Sequence, residues 1–284
     1  MASETQIENV ADTALYVAVY RAEESERPDA LFKDPLAKKL AGDRGRRIAE
    51  GMPNAKIMRW VMAVRTTAID RLILKAIEQG VDTVLNLGAG VDTRPYRMKL
   101  PAELCWIEVD FPQMIDLKNA RLADDKPVCR LERIAVDLSN HEDRIVLLNR
   151  VSRDSKSILV ITEGVLIYLT NDDAGLLAAD LYKKENIHFW IQDYYNHKLS
   201  RYFRGRMKNK MKAAPIRFEP DSWFGFFGER GWEVSEKISS TEEGKRVGRK
   251  CPLPFPWWIL AVLTQFRDSR DFSGYTLLKR KANP

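Results

Sequence analysis

Five short apolar-rich runs constrain this chain's fold more than anything else in it. They lie at residues 83–87, 105–109, 131–136, 158–162 and 188–192. Runs of this length and composition read as strands, and being short and continuous they read as strands covered on both faces. Each of the four connections is long enough for a crossover. The expectation is therefore a parallel sheet with right-handed crossovers. Two later runs, 232–237 and 275–279, also read as strands, but 37 residues separate them and their pairing is open. Upstream, residues 57–80 repeat apolar positions at three- and four-residue spacing and end on Gly80, the pattern of a helix with a glycine just past its C-terminus. Residues 11–50 read as helical too, broken into shorter pieces by Pro28 and Pro35.

Composition removes several alternatives. The three cysteines, Cys105, Cys129 and Cys251, are far apart and form no CxxC, which argues against a disulfide scaffold and fits a reducing compartment. The three histidines are too scattered to suggest a metal cluster, so no metal is expected. The first residues show no basic stretch leading into an apolar one. The most apolar run, 255–263, is well short of the ~20 residues a membrane span needs. The expectation is a soluble, cytoplasmic protein without a membrane partner. The net charge of +6 fits nucleic acid, an anionic small molecule or nothing specific. Residues 198–220 are strongly basic and poorly patterned, and read as a surface excursion or lid.

Just past the first strand comes "LGAGVDT", residues 87–93. Gly88 and Gly90 permit a tight turn and close approach of a ligand to the backbone. A dinucleotide loop would read GxGxxG, but Thr93 stands at the third glycine position, preceded by Asp92. A carboxylate there opposes a pyrophosphate, which wants positive potential. A ligand with cationic groups fits better, and S-adenosylmethionine carries a sulfonium and an ammonium. Asp110, 20 residues after Gly90, has the spacing of a ribose-binding acid. Asp137 and Glu163 close the next two candidate strands at the same sheet edge. Asp110 and Asp137 have capping as a plain alternative. Glu163, between "VIT" and "GVLIYL", would be costly to bury unpaired.

"VLNLGAGVDTRPYR", "WIEVDFPQMIDLK", "AVDLS" and "ITEGVLIYL" occur in the order seen in the leucine carboxyl methyltransferase-like family of S-adenosylmethionine-dependent enzymes. "TALYVAVYRAEESERPDALFKDPLA" and "VRTTAID" match upstream. The chain resembles the branch containing the tetracenomycin polyketide carboxyl O-methyltransferase, over about residues 10–195. The resemblance implies a single α/β domain: a Rossmann-like class I methyltransferase with a mostly parallel seven-stranded sheet. In that layout residues 1–80 form a helical cover, 81–194 the cofactor-binding core, 195–230 the lid and acceptor region, and 231–284 the last strands with an insertion. It also implies site roles. Arg65 would hold the cofactor's carboxylate and Gly88 and Gly90 would line its methionine moiety. Asp110 would bind the ribose hydroxyls, Asp137 and Leu138 would flank the adenine, and Glu163 would receive the ammonium. Lys33 is a further cofactor-binding candidate.

The acceptor decides what chemistry is needed. A carboxylate is ionised at neutral pH and needs no base, whereas a phenol does. Arg201, Arg204 and Arg206 offer a clamp for an anionic small molecule, or else form a solvated surface run. His197 is the best base candidate, although a lone histidine is more often structural. Tyr194, Tyr195, Trp223, Phe224, Phe226 and Phe227 either line an aromatic pocket or belong to the core. The expected function is methyl-ester formation on a small metabolite, polyketide-like or aromatic. The alternatives are a phenol, a protein C-terminal carboxylate, and, more distantly, nucleic-acid binding by the basic stretch, which has few aromatics for stacking.

Overall fold

The computed structural model describes residues 7–196, 205, 213–252 and 273–281. Seven strands form one sheet: β1 Thr83–Leu87, β2 Cys105–Asp110, β3 Arg130–Ala135, β4 Ile158–Thr162, β5 Ile187–Tyr195, β6 Trp232–Ser239 and β7 Ser273–Arg280. Their order is β3-β2-β1-β4-β5-β7-β6. The first five are parallel, joined through α4 (Arg94–Arg97), α5 (Pro112–Arg121), α6 (His141–Asp154) and α7 (Asn171–Tyr182). The pairing that sequence leaves open is resolved here. β7 inserts between β5 and β6 and runs antiparallel to both.

Alternating side chains supply two apolar layers. Leu85, Leu87, Ile107, Val109 and Val160 pack on one face with residues of α6, α7 and the short helix α8 (Trp223–Gly228). Val84, Trp106, Leu159 and Ile161 pack on the other with Ala68, Ile69, Leu72 and Ile73. Those four residues form two adjacent pairs set four positions apart on α3 (Ala55–Glu78), which therefore turns one stripe to the sheet. α3 ends as its pattern predicts, with Gly80 at φ +92°. β3 departs from the expectation of a strand covered on both faces. It is an edge strand, partly exposed along its length.

Two N-terminal helices, α1 (Val10–Ser25) and α2 (Ala37–Glu50), are joined across the segment carrying Pro28 and Pro35, and α2 is kinked at Gly42. α1 begins where the Asn9 side chain accepts from the Asp12 N–H at 3.0 Å. Leu15 and Ala18 on α1, Leu40 and Ala41 on α2, Val91 of the glycine loop and Met114 of α5 share one apolar cluster. The helical cover is thereby seated on the carboxyl ends of the strands. The chain runs outward from β1 to β3 and then returns to place β4 on β1's other side. The crevice at such a reversal is where open α/β sheets bind ligands. Gly88 follows β1 there, and Glu163 follows β4.

Of the basic stretch 198–220, only residues 205 and 213–220 are described, and in 213–218 exposed Ala213, Pro215 and Arg217 alternate with inward-facing residues. Ala214 and Phe218 are buried, and Ile216 lines the cavity described below.

Candidate active site

A cavity of about 400 Å³ opens at the crevice. Its lining includes Arg65, Gly88, Gly90, Asp110, Asp137, Leu138 and Glu163, seven of the eight cofactor candidates read from the sequence. Lys33 is not among the lining residues. It is exposed, and its ammonium donates to the carbonyls of Ser25 at 2.7 Å and Arg27 at 3.4 Å. Carbonyls left open at the end of α1 attract this cation and hold it away from the crevice.

The glycine turn is built by left-handed backbone. Gly88 has φ +69° and Gly90 has φ +48°, and the Gly88 and Ala89 N–H groups donate to the Val109 carbonyl at 2.8 and 3.1 Å. A Cβ on Gly88 would lie 2.4 Å from Cγ2 of Val165. Gly88→Ala is accordingly expected to destabilise the fold by about 1–3 kcal/mol, read as a lower denaturant midpoint. An unchanged midpoint would show that the turn relaxes around the methyl group.

Asp110, buried at the end of β2, ties that loop down. Its Oδ2 accepts from the Gly90 N–H at 2.6 Å and its Oδ1 from the Phe111 N–H at 2.7 Å. Burial pushes its pKa up, and these two N–H groups offset part of the rise. Each oxygen keeps a second lone pair for a ligand. Asp137 lies two residues beyond β3, is exposed at the cavity, and accepts from the Ser139 N–H at 2.9 Å and hydroxyl at 2.7 Å. It makes a local turn, while the N-cap of α6 is Asn140.

Glu163 sits between two cations. Its Oε1 is 2.8 Å from Nε of Arg65, and its Oε2 is 2.8 Å from Nη1 of Arg94. Burial raises its pKa, but Arg94 and Arg65 outweigh burial and hold it below the ordinary carboxylate range. The contact with Arg65 is one of charge rather than an aligned hydrogen bond. The Arg65 Nε–H is buried and has no acceptor in line. A buried donor beside the cavity thus remains unused, which fits a ligand that brings an acceptor such as a carboxylate.

Asp92 does not present free negative charge to a ligand, which corrects the reading of the loop from sequence. Its Oδ1 accepts from the Arg94 backbone N–H at 2.9 Å. Its Oδ2 accepts from Arg94 Nη1 at 2.8 Å and from Asn86 Nδ2 at 2.9 Å. The aspartate neutralises an arginine two residues along the same loop. Among charged residues the lining holds Arg21, Arg65 and Arg94 against Asp92, Asp110, Asp137 and Glu163, a near balance rather than an anionic bowl. Arg94, Arg21 and Asn86 were missed as site residues. Arg94 stands in the quoted loop motif, but its partners are visible only in three dimensions.

The rest of the lining is mainly apolar and tyrosine-rich, including Met58, Val61, Met62, Tyr16, Tyr168 and Tyr195. The hydroxyl of Tyr195 donates to Oδ2 of buried Asp193 at 2.7 Å, and Oδ1 of Asp193 accepts from the Gly164 N–H at 2.9 Å. Of the aromatic candidates, Tyr195 lines the cavity. Tyr194, Trp223 and Phe227 are core residues, and Phe224 and Phe226 pack against that core. His197, Arg201, Arg204 and Arg206 lie outside the described residues. Among the described residues no group of three or more His, Cys, Asp or Glu could hold a metal, and no helix is long and apolar enough to cross a membrane.

The chain is similar to several known proteins. The family model for leucine carboxyl methyltransferase matches residues 14–181. A Streptomyces coelicolor protein named "Putative S-adenosyl-L-methionine-dependent methyltransferase" is 32% identical over 234 residues, covering 78% of this chain and 83% of its own length. A Parafrankia protein of the same name is 30% identical over 270 residues, covering 87% and 84%. Among solved structures, a DUF574 family protein from Streptomyces avermitilis superposes with a TM-score of 0.58 at 17% identity, covering 93% of this chain and 97% of that one. A Thermobifida fusca structure described as a putative methyltransferase gives 0.55 at 16% identity, covering 98% and 96%. At these identities the superpositions establish the fold, and the sequence matches establish the family. The chain belongs to the leucine carboxyl methyltransferase family of S-adenosyl-L-methionine-dependent methyltransferases.

Proposed function

We propose that the protein transfers a methyl group from S-adenosylmethionine to a carboxylate oxygen of a small, largely apolar metabolite. The observation that carries this reading is the convergence of the glycine turn, Asp110 and the Arg65–Glu163 pair on one cavity at the sheet reversal. When bound there, S-adenosylmethionine supplies an electrophilic methyl group on a sulfonium. Arg65 would hold its carboxylate and Glu163 its ammonium, each exchanging a misaligned contact with the other for an aligned one with the ligand. The open lone pairs of Asp110 would accept from the two ribose hydroxyls. Leu138 and Asp137 would flank the adenine, and Gly88 and Gly90 would let the methionine chain lie against the backbone.

The protein's remaining task is positional. It must hold an oxygen in line with the methyl group, a form of catalysis worth up to about 7–11 kcal/mol in ideal cases. Among the described lining residues there is no histidine, and a carboxylate, already ionised, requires no base. The methionines, valines and tyrosines of the lining favour an apolar or aromatic acceptor and exclude water, which helps a reaction that quenches opposite charges. One observation favours a second reading, a hydroxyl acceptor. Because Tyr195 donates to Asp193, its free lone pairs can accept from an O–H.

Calorimetry with S-adenosylmethionine, followed by a methyl-label assay over small aromatic acids and phenols, tests both halves. The expected product is an alkali-labile methyl ester. An alkali-stable ether would overturn the carboxylate half, and failure to bind S-adenosylmethionine would overturn the whole proposal.

A further inference from the structure

We infer that Arg94 is a positioning residue for the cofactor, a fixed cation that keeps Glu163 aimed at the ammonium once Arg65 has turned to the ligand's carboxylate. This rests on the cofactor reading above and adds to it a residue outside the set that reading assigns.

The two cations beside Glu163 are held very differently. Arg65 makes a 2.8 Å charge contact with Glu163, yet its buried Nε–H lacks an aligned acceptor. It is the adjustable partner. Arg94 is immobilised from three directions. Its Nε donates to Oδ1 of Asp70 at 2.7 Å, its Nη1 donates to Oδ2 of Asp92 at 2.8 Å, and its backbone N–H donates to Oδ1 of the same aspartate at 2.9 Å. Asp92 is braced in turn by Asn86 at 2.9 Å, and Asp70 by the Arg97 guanidinium at 2.6 and 2.8 Å. Arg94 is 3% exposed, so a large movement would break buried charge pairs. A ligand carboxylate that draws Arg65 away leaves Glu163 with Arg94 as its neighbouring cation. Without Arg94 that carboxylate would be buried against Asp92 and would favour protonation, losing the charge that attracts an ammonium. This also accounts for an aspartate in a ligand-binding glycine turn. Asp92 is there to seat Arg94.

The inference separates cofactor fragments. 5′-Methylthioadenosine has the adenosine and thioether but lacks the amino-acid end. In Arg94→Gln, affinity for S-adenosylmethionine and S-adenosylhomocysteine is expected to fall roughly tenfold or more, while affinity for 5′-methylthioadenosine stays within about twofold of wild type. Arg94→Lys, which keeps the charge, should recover part of the loss. Arg97→Gln, on the far side of Asp70 and outside the cavity lining, should lower the melting temperature without changing the ratio between whole cofactor and fragment. A parallel loss for both ligands in Arg94→Gln, or no loss for either, overturns the inference while leaving the cofactor reading intact. Should Arg94→Gln not fold, the same comparison on Arg94→Met, which also removes the charge but keeps an unbranched side chain, decides: a fragment-to-cofactor ratio unchanged from wild type overturns the role. Wild type that binds the fragment but neither whole cofactor removes both readings together.

Discussion

Asp110→Ala is expected to weaken S-adenosylmethionine binding on the order of a hundredfold, because hydrogen bonds to a charged acceptor are worth about 1.5–3 kcal/mol. Asp110 carries two loads. It accepts from the Gly90 and Phe111 N–H groups, and it keeps one lone pair on each oxygen for the cavity. Alanine removes both, so a lower affinity alone would not separate ligand contact from a loosened loop. Adenosine and 2′,3′-dideoxyadenosine do separate them. Wild type should prefer adenosine, and Asp110→Ala should bind the two alike. A preserved preference would remove Asp110 from the ribose site. The pH dependence follows from the direction of its shift. Burial raises the Asp110 pKa, while Arg94 and Arg65 hold that of Glu163 low. On acidification Asp110 therefore takes up its proton first, above the ordinary aspartate value of about 3.9, and affinity falls there. The same shift acts on stability with the opposite sign to a salt-bridged acid. The unfolded chain ionises first as pH rises, so stability falls from the ordinary value up to the raised one of Asp110 and stays lower above it. Asp110→Asn should bind weakly but without this acid limb.

The interior of the sheet was legible because burial on both faces forces continuous apolar runs. β1 and β4 match their expected spans for that reason. β3 departs from that pattern because its apolar positions are interleaved with charges. Arg130, Glu132 and Arg133 are tolerable only on an edge. β5 runs on to Tyr195, three residues past the apolar pattern, because β7 pairs with it along that length. Neither the insertion of β7 nor this extension has a local signal, since both depend on strands far apart in sequence.

At the site, acids that end strands could be read from position alone, and Asp110, Asp137 and Glu163 do meet at one cavity. What position could not supply was pairing. Arg65 lies on α3 and Glu163 beyond β4, and nothing local marks them as neighbours. Charge without its partner also misled the reading of Asp92, whose counter-ion is Arg94. Lys33, a candidate by likeness of motif, sits in a loop that turns it outward, to carbonyls at the end of α1. Spacing conveys which groups lie at one sheet edge, whereas the local field depends on contacts between segments.

A larger effect on the fold is expected beneath the site, at a wholly buried ion pair. Glu108 on β2 and Lys118 on α5 are both 0% exposed, with Nζ 2.7 Å from Oε1. Arg133 holds the other oxygen through Nε at 2.9 Å and also reaches Asn119 and the Tyr96 hydroxyl. Burial lowers the Lys118 pKa, partly offset by Glu108, and raises that of Glu108, partly offset by Lys118 and Arg133. Glu108→Ala leaves the lysine without its neutralising partner and should cost about 3–5 kcal/mol of unfolding free energy. Replacing both, as Glu108→Leu with Lys118→Met, should cost clearly less, because the burial penalty on each charge disappears along with their attraction. The single variant should carry a further signature. To stay buried its lysine must shed a proton that the unfolded chain keeps up to about pH 10.4, so stability should rise with pH through the alkaline range. Urea titrations at neutral and at alkaline pH check this. A Glu108→Ala variant as stable as the double replacement, with no gain on raising pH, would mean that water reaches Lys118 and that the pair contributes little to holding α5 under the glycine loop.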